Sequence, residues 1–164
     1  MDVWTLALAQ EMLEFRVTKY DPKNRNEAEH YILDEWTCFS EVGGSVSLEE
    51  YERVEGAYLQ SAIDFARMWS TEALTISGLE DHQENTQLVE GQQMTADDIP
   101  SVLRSILRNE FWCRLENTDG FIHVGWDYYM YVGVPKIDRS TITAAHARGL
   151  FVEDFISPYH PEKC

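Results

Sequence analysis

The sequence predicts an α+β fold: a single domain in which an antiparallel sheet with a long C-terminal hairpin packs against two or three helices. Three observations carry this. Residues 111–132 alternate apolar and polar side chains on both sides of an Asn-Thr-Asp-Gly turn, the period of half-buried strands. Apolar residues after Ser47 recur at spacings of three and four, the period of a helix. The 164 residues, 44% hydrophobic and 26% charged, are the length and composition of one globular core, with no internal repeat and no low-complexity linker.

Each element follows from local chemistry. Residues 11–19 place Leu13, Phe15 and Val17 on one face, which favours a strand; a short helix over 3–15 is the alternative. Tyr20-Asp21-Pro22 ends that element, because Pro22 cannot donate a ladder hydrogen bond. Residues 21–30 read as a loop and Tyr31 to Val42 as an irregular or extended stretch, broken by Gly43-Gly44. Ser47-Leu48-Glu49-Glu50 is a capping box that opens the longest helix. Tyr51, Val54, Tyr58, Ala62, Phe65 and Trp69 draw its apolar stripe, and it should end near Trp69–Thr71. Residues 73–79 read as a short strand and Glu80 to Gln87 as a polar loop. Thr95-Ala96-Asp97-Asp98 is a second helix start, with Pro100 in the first turns and Ile99, Val102, Leu103, Ile106 and Leu107 as the buried face.

The strongest sheet signal follows. Phe111, Cys113 and Leu115 lie on one side of a strand, and Asn117-Thr118-Asp119-Gly120 forms a turn in which Asp-Gly supplies a positive φ. Phe121 to Val132 reads as one long strand, with Ile122, Val124, Trp126, Tyr128, Met130 and Val132 on its apolar face. Pairing Glu116 with Phe121 sets Leu115 opposite Ile122, so that the apolar faces coincide; a slip of one residue would bring Leu115 to the polar face. Gly133 and Pro135 end the strand. Ser140 to Ala147 is a third helix with Gly149 just past its end, residues 150–155 form a last strand, and 156–164 form a tail.

Charge narrows the function. Thirteen Lys+Arg against 29 Asp+Glu leave a net charge of −16, which disfavours nucleic-acid and membrane-surface binding. The N-terminal stretch carries Asp2 in place of a leading cation and is interrupted by Gln10 and Glu11, so neither a signal peptide nor a membrane span is expected. Three widely spaced cysteines without a C-x-x-C fit a reduced compartment, with Cys38 and Cys113 as small core residues and Cys164 exposed. A cytoplasmic location follows as the expectation.

Two surfaces stand out. Arg114, His123, Asp127, Tyr129 and Tyr131 share the second face of the hairpin and combine a cation, an imidazole, a carboxylate and two phenols. Such a face suits a protein interface; packing under a helix is the plainer alternative. Direct His123–Asp127 catalysis is disfavoured, because four residues along one strand span about 13 Å. The second surface is acidic: Glu49, Glu50, Glu52 and Glu55 on the long helix, and Glu80, Asp81 and Glu84 in a stretch from Met68 to Leu103 that lacks Lys and Arg. Glu49, Glu52, Glu80, Asp81 and Glu84 are candidates for docking a basic partner, against plain solubility as the simpler account. His82 sits among acidic residues, but no histidine has metal-ligand spacing, and no nucleophile elbow, P-loop or dinucleotide fingerprint occurs; neither metal nor cofactor is expected.

Several segments together resemble a family of small bacterial hypothetical proteins, some of which are similar to immunity proteins of polymorphic-toxin and contact-dependent inhibition systems. These are Tyr20-Asp21-Pro22-Lys23, Asp34 to Gly43, Leu48-Glu49-Glu50-Tyr51 with Ala57-Tyr58, Leu107 to Leu115, His123 to Tyr131, Gly149 to Glu153, and Ser157-Pro158-Tyr159. The match runs in order over most of the chain and is most specific from Trp112 to Tyr131. It implies one immunity-like domain over 1–164, a non-enzymatic inhibitor whose partner is a cognate toxin domain, of which a basic nuclease is one form. No catalytic residue carries over. Two rival expectations stand beside it: a small enzyme using the His123 strand, and an acidic adaptor subunit of a larger assembly.

Overall fold

A computed structural model describes residues 11–161. Among these residues seven strands form one antiparallel sheet: β1 (Leu13–Thr18), β2 (Ala73–Glu80), β3 (Gln93–Thr95), β4 (Trp112–Asn117), β5 (Gly120–Val124), β6 (Tyr129–Val134) and β7 (Phe151–Asp154). Their spatial order is β3-β2-β4-β5-β6-β1-β7. Three α-helices of the described residues, α1 (Leu48–Ala66), α2 (Ile99–Leu107) and α3 (Arg139–Ala147), complete an α+β domain.

The helices lie on one face of the sheet. Val17, Ile76, Leu115, Ile122, Met130 and Val132 are buried in one core with α1, whose stripe from Tyr51 to Phe65 is buried as its spacing predicts. The hairpin register also matches, with Leu115 opposite Ile122 and Glu116 opposite Phe121. Ser47 caps α1 by accepting the Glu50 N–H at 3.1 Å, but the box is only half formed: the Glu50 carboxylate turns to Arg53 instead of reaching back. The helix stops at Ala66, and Trp69 is buried from the following turn, its indole donating to the Gly133 carbonyl.

Three expectations are corrected. Phe121–Val132 is not one strand. β5 ends at Val124, a turn over Trp126–Tyr128 reverses the chain, and β6 pairs back on β5 with His123 opposite Tyr131. Trp126, expected on the apolar face, is 80% exposed at the tip of that turn. Gly120 closes the preceding turn without a positive φ, and so do Thr118 and Asp119. Glycine is needed there for space, since a Cβ would run into the Trp69 indole and the Gly133 carbonyl. Cys113 is buried, whereas Cys38 is half-exposed beside a groove rather than in the core. The three-residue β3 has no signal of its own in the sequence; it is an edge strand paired to β2. The helix considered for residues 3–15 falls largely outside the described residues, and Leu13–Thr18 is extended.

The second face of the sheet is polar and aromatic, and residues 155–160, read from sequence mostly as tail, lie across it. Phe155 and Tyr159 pack on Tyr131, Tyr159 also on Trp112, and His160 on Phe121 and His123. Ser157 is buried, its N–H donating to Glu14 and its hydroxyl bonded to His123. No helix among the described residues is long and apolar enough to cross a membrane.

Candidate functional site: the Trp126 turn and its groove

The turn from Gly125 to Tyr129 carries strained backbone. Asp127 (φ 61) and Tyr128 (φ 67) are consecutive non-glycine residues in the left-handed region, a conformation costing on the order of 1–3 kcal/mol per residue. Tyrosine hydroxyls hold it in place. Tyr20 donates to the Asp127 carbonyl at 2.6 Å, and Tyr58, on α1, donates to the Tyr128 carbonyl at 2.7 Å. The Tyr128 ring itself is buried, its hydroxyl donating to the Leu107 carbonyl and bonded to Tyr51. Burial, with these neighbouring phenols, pushes the Tyr128 hydroxyl far above its ordinary pKa, so it remains a neutral donor. The turn is therefore anchored from beneath while Trp126 is thrust outward.

Beneath Trp126 lies a groove of about 570 Å³ between the end of α2, the start of β4 and the loop after β2. Leu107, Phe111, Val124 and Trp112 supply apolar walls, and Glu80, Glu110 and Asp127 stand at its margin. Trp112 is fixed by donating its indole N–H to the Val124 carbonyl at 2.6 Å. Gly125 keeps one wall open to Tyr159, because a Cβ there would lie 2.7 Å from the Tyr159 hydroxyl.

The residues singled out from sequence divide among several places. Arg114, His123, Tyr129 and Tyr131 do share the second face of the sheet. His123 is wholly buried there, bonded through Nδ1 to Ser157 (2.7 Å) and through Nε2 to Glu116 (3.0 Å). Burial lowers its pKa, against the pull of Glu116. Tyr131 is buried under Phe155 and Tyr159, and Tyr129 is half-buried against Tyr20 and Arg16. The covering element is thus the chain's own C-terminal segment, not a helix. Arg114 donates to Ser77 at 3.0 Å, and its Nε lies 3.4 Å from Glu116. Asp127 leaves this face for the turn, exposed beside Trp126.

Among the acidic candidates, Glu80 reaches the groove. Asp81 is occupied in its loop, accepting the N–H groups of Asn85 and Thr86. Glu84 is exposed at φ 54, and Glu49 and Glu52 are exposed on α1, apart from the groove. Glu55, grouped with them by sequence, is buried between Arg104 and Arg108 and belongs to the α1–α2 contact. Among the described residues no cluster of His, Cys, Asp and Glu is arranged to hold a metal ion.

Sequence reasoning missed Trp126 and the Ser157–His123–Glu116 chain. Gly125 and Asp127, both tolerant of turn conformations, were the available signal for the first. Nothing local marks the second, which joins residues 34 positions apart. Comparison with protein-family models, curated proteins and solved structures finds no match.

Proposed function

We propose that this chain is a cytoplasmic inhibitor of the immunity-protein kind, which binds a cognate bacterial toxin domain and blocks its active cleft. The observation that carries this reading is Trp126: 80% exposed, and fixed on a turn that two tyrosine hydroxyls clamp through its backbone carbonyls. A large aromatic presented on a preorganised backbone supplies contact area at little further entropic cost, which is how interface anchors work. The net charge of −16 supports it, since opposed fields speed encounter with a basic domain.

The test is co-expression with the polypeptide encoded immediately upstream, followed by co-purification and a growth assay. A stable complex that protects the cells is the expected result. Trp126→Ala should weaken that complex at least tenfold while leaving the urea midpoint nearly unchanged, because the side chain is mostly in water. Absence of both complex and protection sinks the proposal.

A second reading draws on one specific observation. Ser157, His123 and Glu116 form a hydroxyl–imidazole–carboxylate chain of the kind hydrolases use. Its imidazole is fully buried and its serine nearly so, which leaves this reading the weaker. Ester hydrolysis abolished by Ser157→Ala in a protein that remains folded would bring it to the front.

A further inference from the structure

We infer that the groove beneath Trp126 receives an arginine or lysine side chain carried on an apolar segment of the partner protein. This rests on the reading of the chain as a protein binder, and it names the chemistry of the contact. Glu80, Glu110 and Asp127 at the groove's margin are exposed, and among the described residues none of them is paired with a Lys or Arg. Arg114, which also lines the groove, is already engaged by Ser77 and Glu116. The margin thus carries uncompensated negative charge over an apolar floor. An anionic segment would be repelled there, and a neutral one would desolvate carboxylates without pairing them.

The walls fit the rest of such a side chain. A long aliphatic stem suits Leu107, Phe111 and Val124, while the indoles of Trp112 and Trp126 offer π-faces to a cationic head. Trp112 already has one guanidinium nearby, that of Arg114, at 6.0 Å from its ring. The volume of about 570 Å³ holds one or two side chains, not a folded element.

The experiment is titration of hexa-arginine amide, with hexa-glutamate as control, into the ¹⁵N-labelled protein, following the tryptophan indole N–H and the backbone amide resonances. Saturable shifts of Trp112 and Trp126 are expected with the cationic peptide and none with the anionic one. Affinity should fall at least tenfold in Trp126→Ala and in the Glu80→Gln/Glu110→Gln pair, and less than threefold in Glu49→Gln/Glu52→Gln. Equal binding by Trp126→Ala, no shift at all, or shifts confined to α1 would overturn the inference. If the peptide leaves the groove untouched while the chain still protects cells from the toxin, the cation-receiving groove is wrong and the inhibitor reading stands. If the peptide fills the groove but no toxin domain is bound, the reverse holds.

Discussion

Tyr58 does two jobs with one hydroxyl. It donates to the Tyr128 carbonyl at 2.7 Å and accepts the Lys19 N–H at 2.8 Å, with its ring fully buried in α1's stripe. Tyr58→Phe keeps the packing and leaves both partners unsatisfied, so a loss of about 1–3 kcal/mol is expected, read from the urea midpoint. The same variant should loosen the strained turn. Steady-state anisotropy in a background where Trp126 is the sole tryptophan should therefore fall, even where the global fold survives. Neighbouring residues show how far sequence carries at this scale. The Asn117–Gly120 turn is legible from its composition, yet the reason for Gly120 is not. Glycine answers equally to a positive φ and to a close approach, and here the Trp69 indole decides for the second.

Among the elements, the α1 stripe, the α2 face and the β4–β5 register were readable because each depends on a period that burial enforces. The β5–β6 hairpin was not, for a geometric reason. Its pairs, His123 with Tyr131 and Val124 with Met130, are symmetric about residue 127, so paired residues share parity. Alternation therefore runs unbroken through the turn, and a hairpin imitates one long strand while keeping every sheet residue on its expected face. The candidate site sits at the one place where that imitation hides a reversal. The α1–α2 contact was hidden differently: Glu55 looks like part of an acidic surface until Arg104 and Arg108 close on it from 49 and 53 residues away. Burial raises the Glu55 carboxyl, but Arg108, Tyr51 and Arg104 outweigh it and hold the group below its ordinary 4.5. A depressed folded-state pKa means stability that is present above 4.5 and is lost as pH falls through the folded value. Glu55→Gln should lower the melting temperature at pH 7 and flatten its decline between pH 5 and pH 3 relative to the wild type. An unchanged decline would place the acid sensitivity elsewhere.

At the scale of the whole molecule, the sheet is covered by helices on one side and by residues 155–160 on the other, so stability of the second face depends on a short segment staying docked. That segment is held by Ser157 on His123, by the Ser157 N–H on Glu14, and by His160, whose Nε2 lies 2.6 Å from Glu14. The groups facing the His123 ring are Glu116 and Arg114 from β4 and His160 from the segment itself. Burial favours the neutral ring, with His160 and Arg114 adding to it, and this outweighs Glu116, so the folded-state pKa lies below the ordinary 6.5. The unfolded chain then binds more protons than the folded one as pH falls below about 6.5, and stability declines until the folded value is passed. Charging the ring also removes Nδ1 as an acceptor for the Ser157 hydroxyl, and the reorientation this demands acts directly on the docked segment. Protection of the Ser157 and Tyr159 amides against hydrogen exchange, corrected for intrinsic rate, should therefore drop between pH 7 and pH 5 before that of β5 and β6 does. His123→Asn, which does not titrate, should abolish that difference, whereas parallel loss of protection across the segment and both strands would mean that the second face opens only with the whole domain.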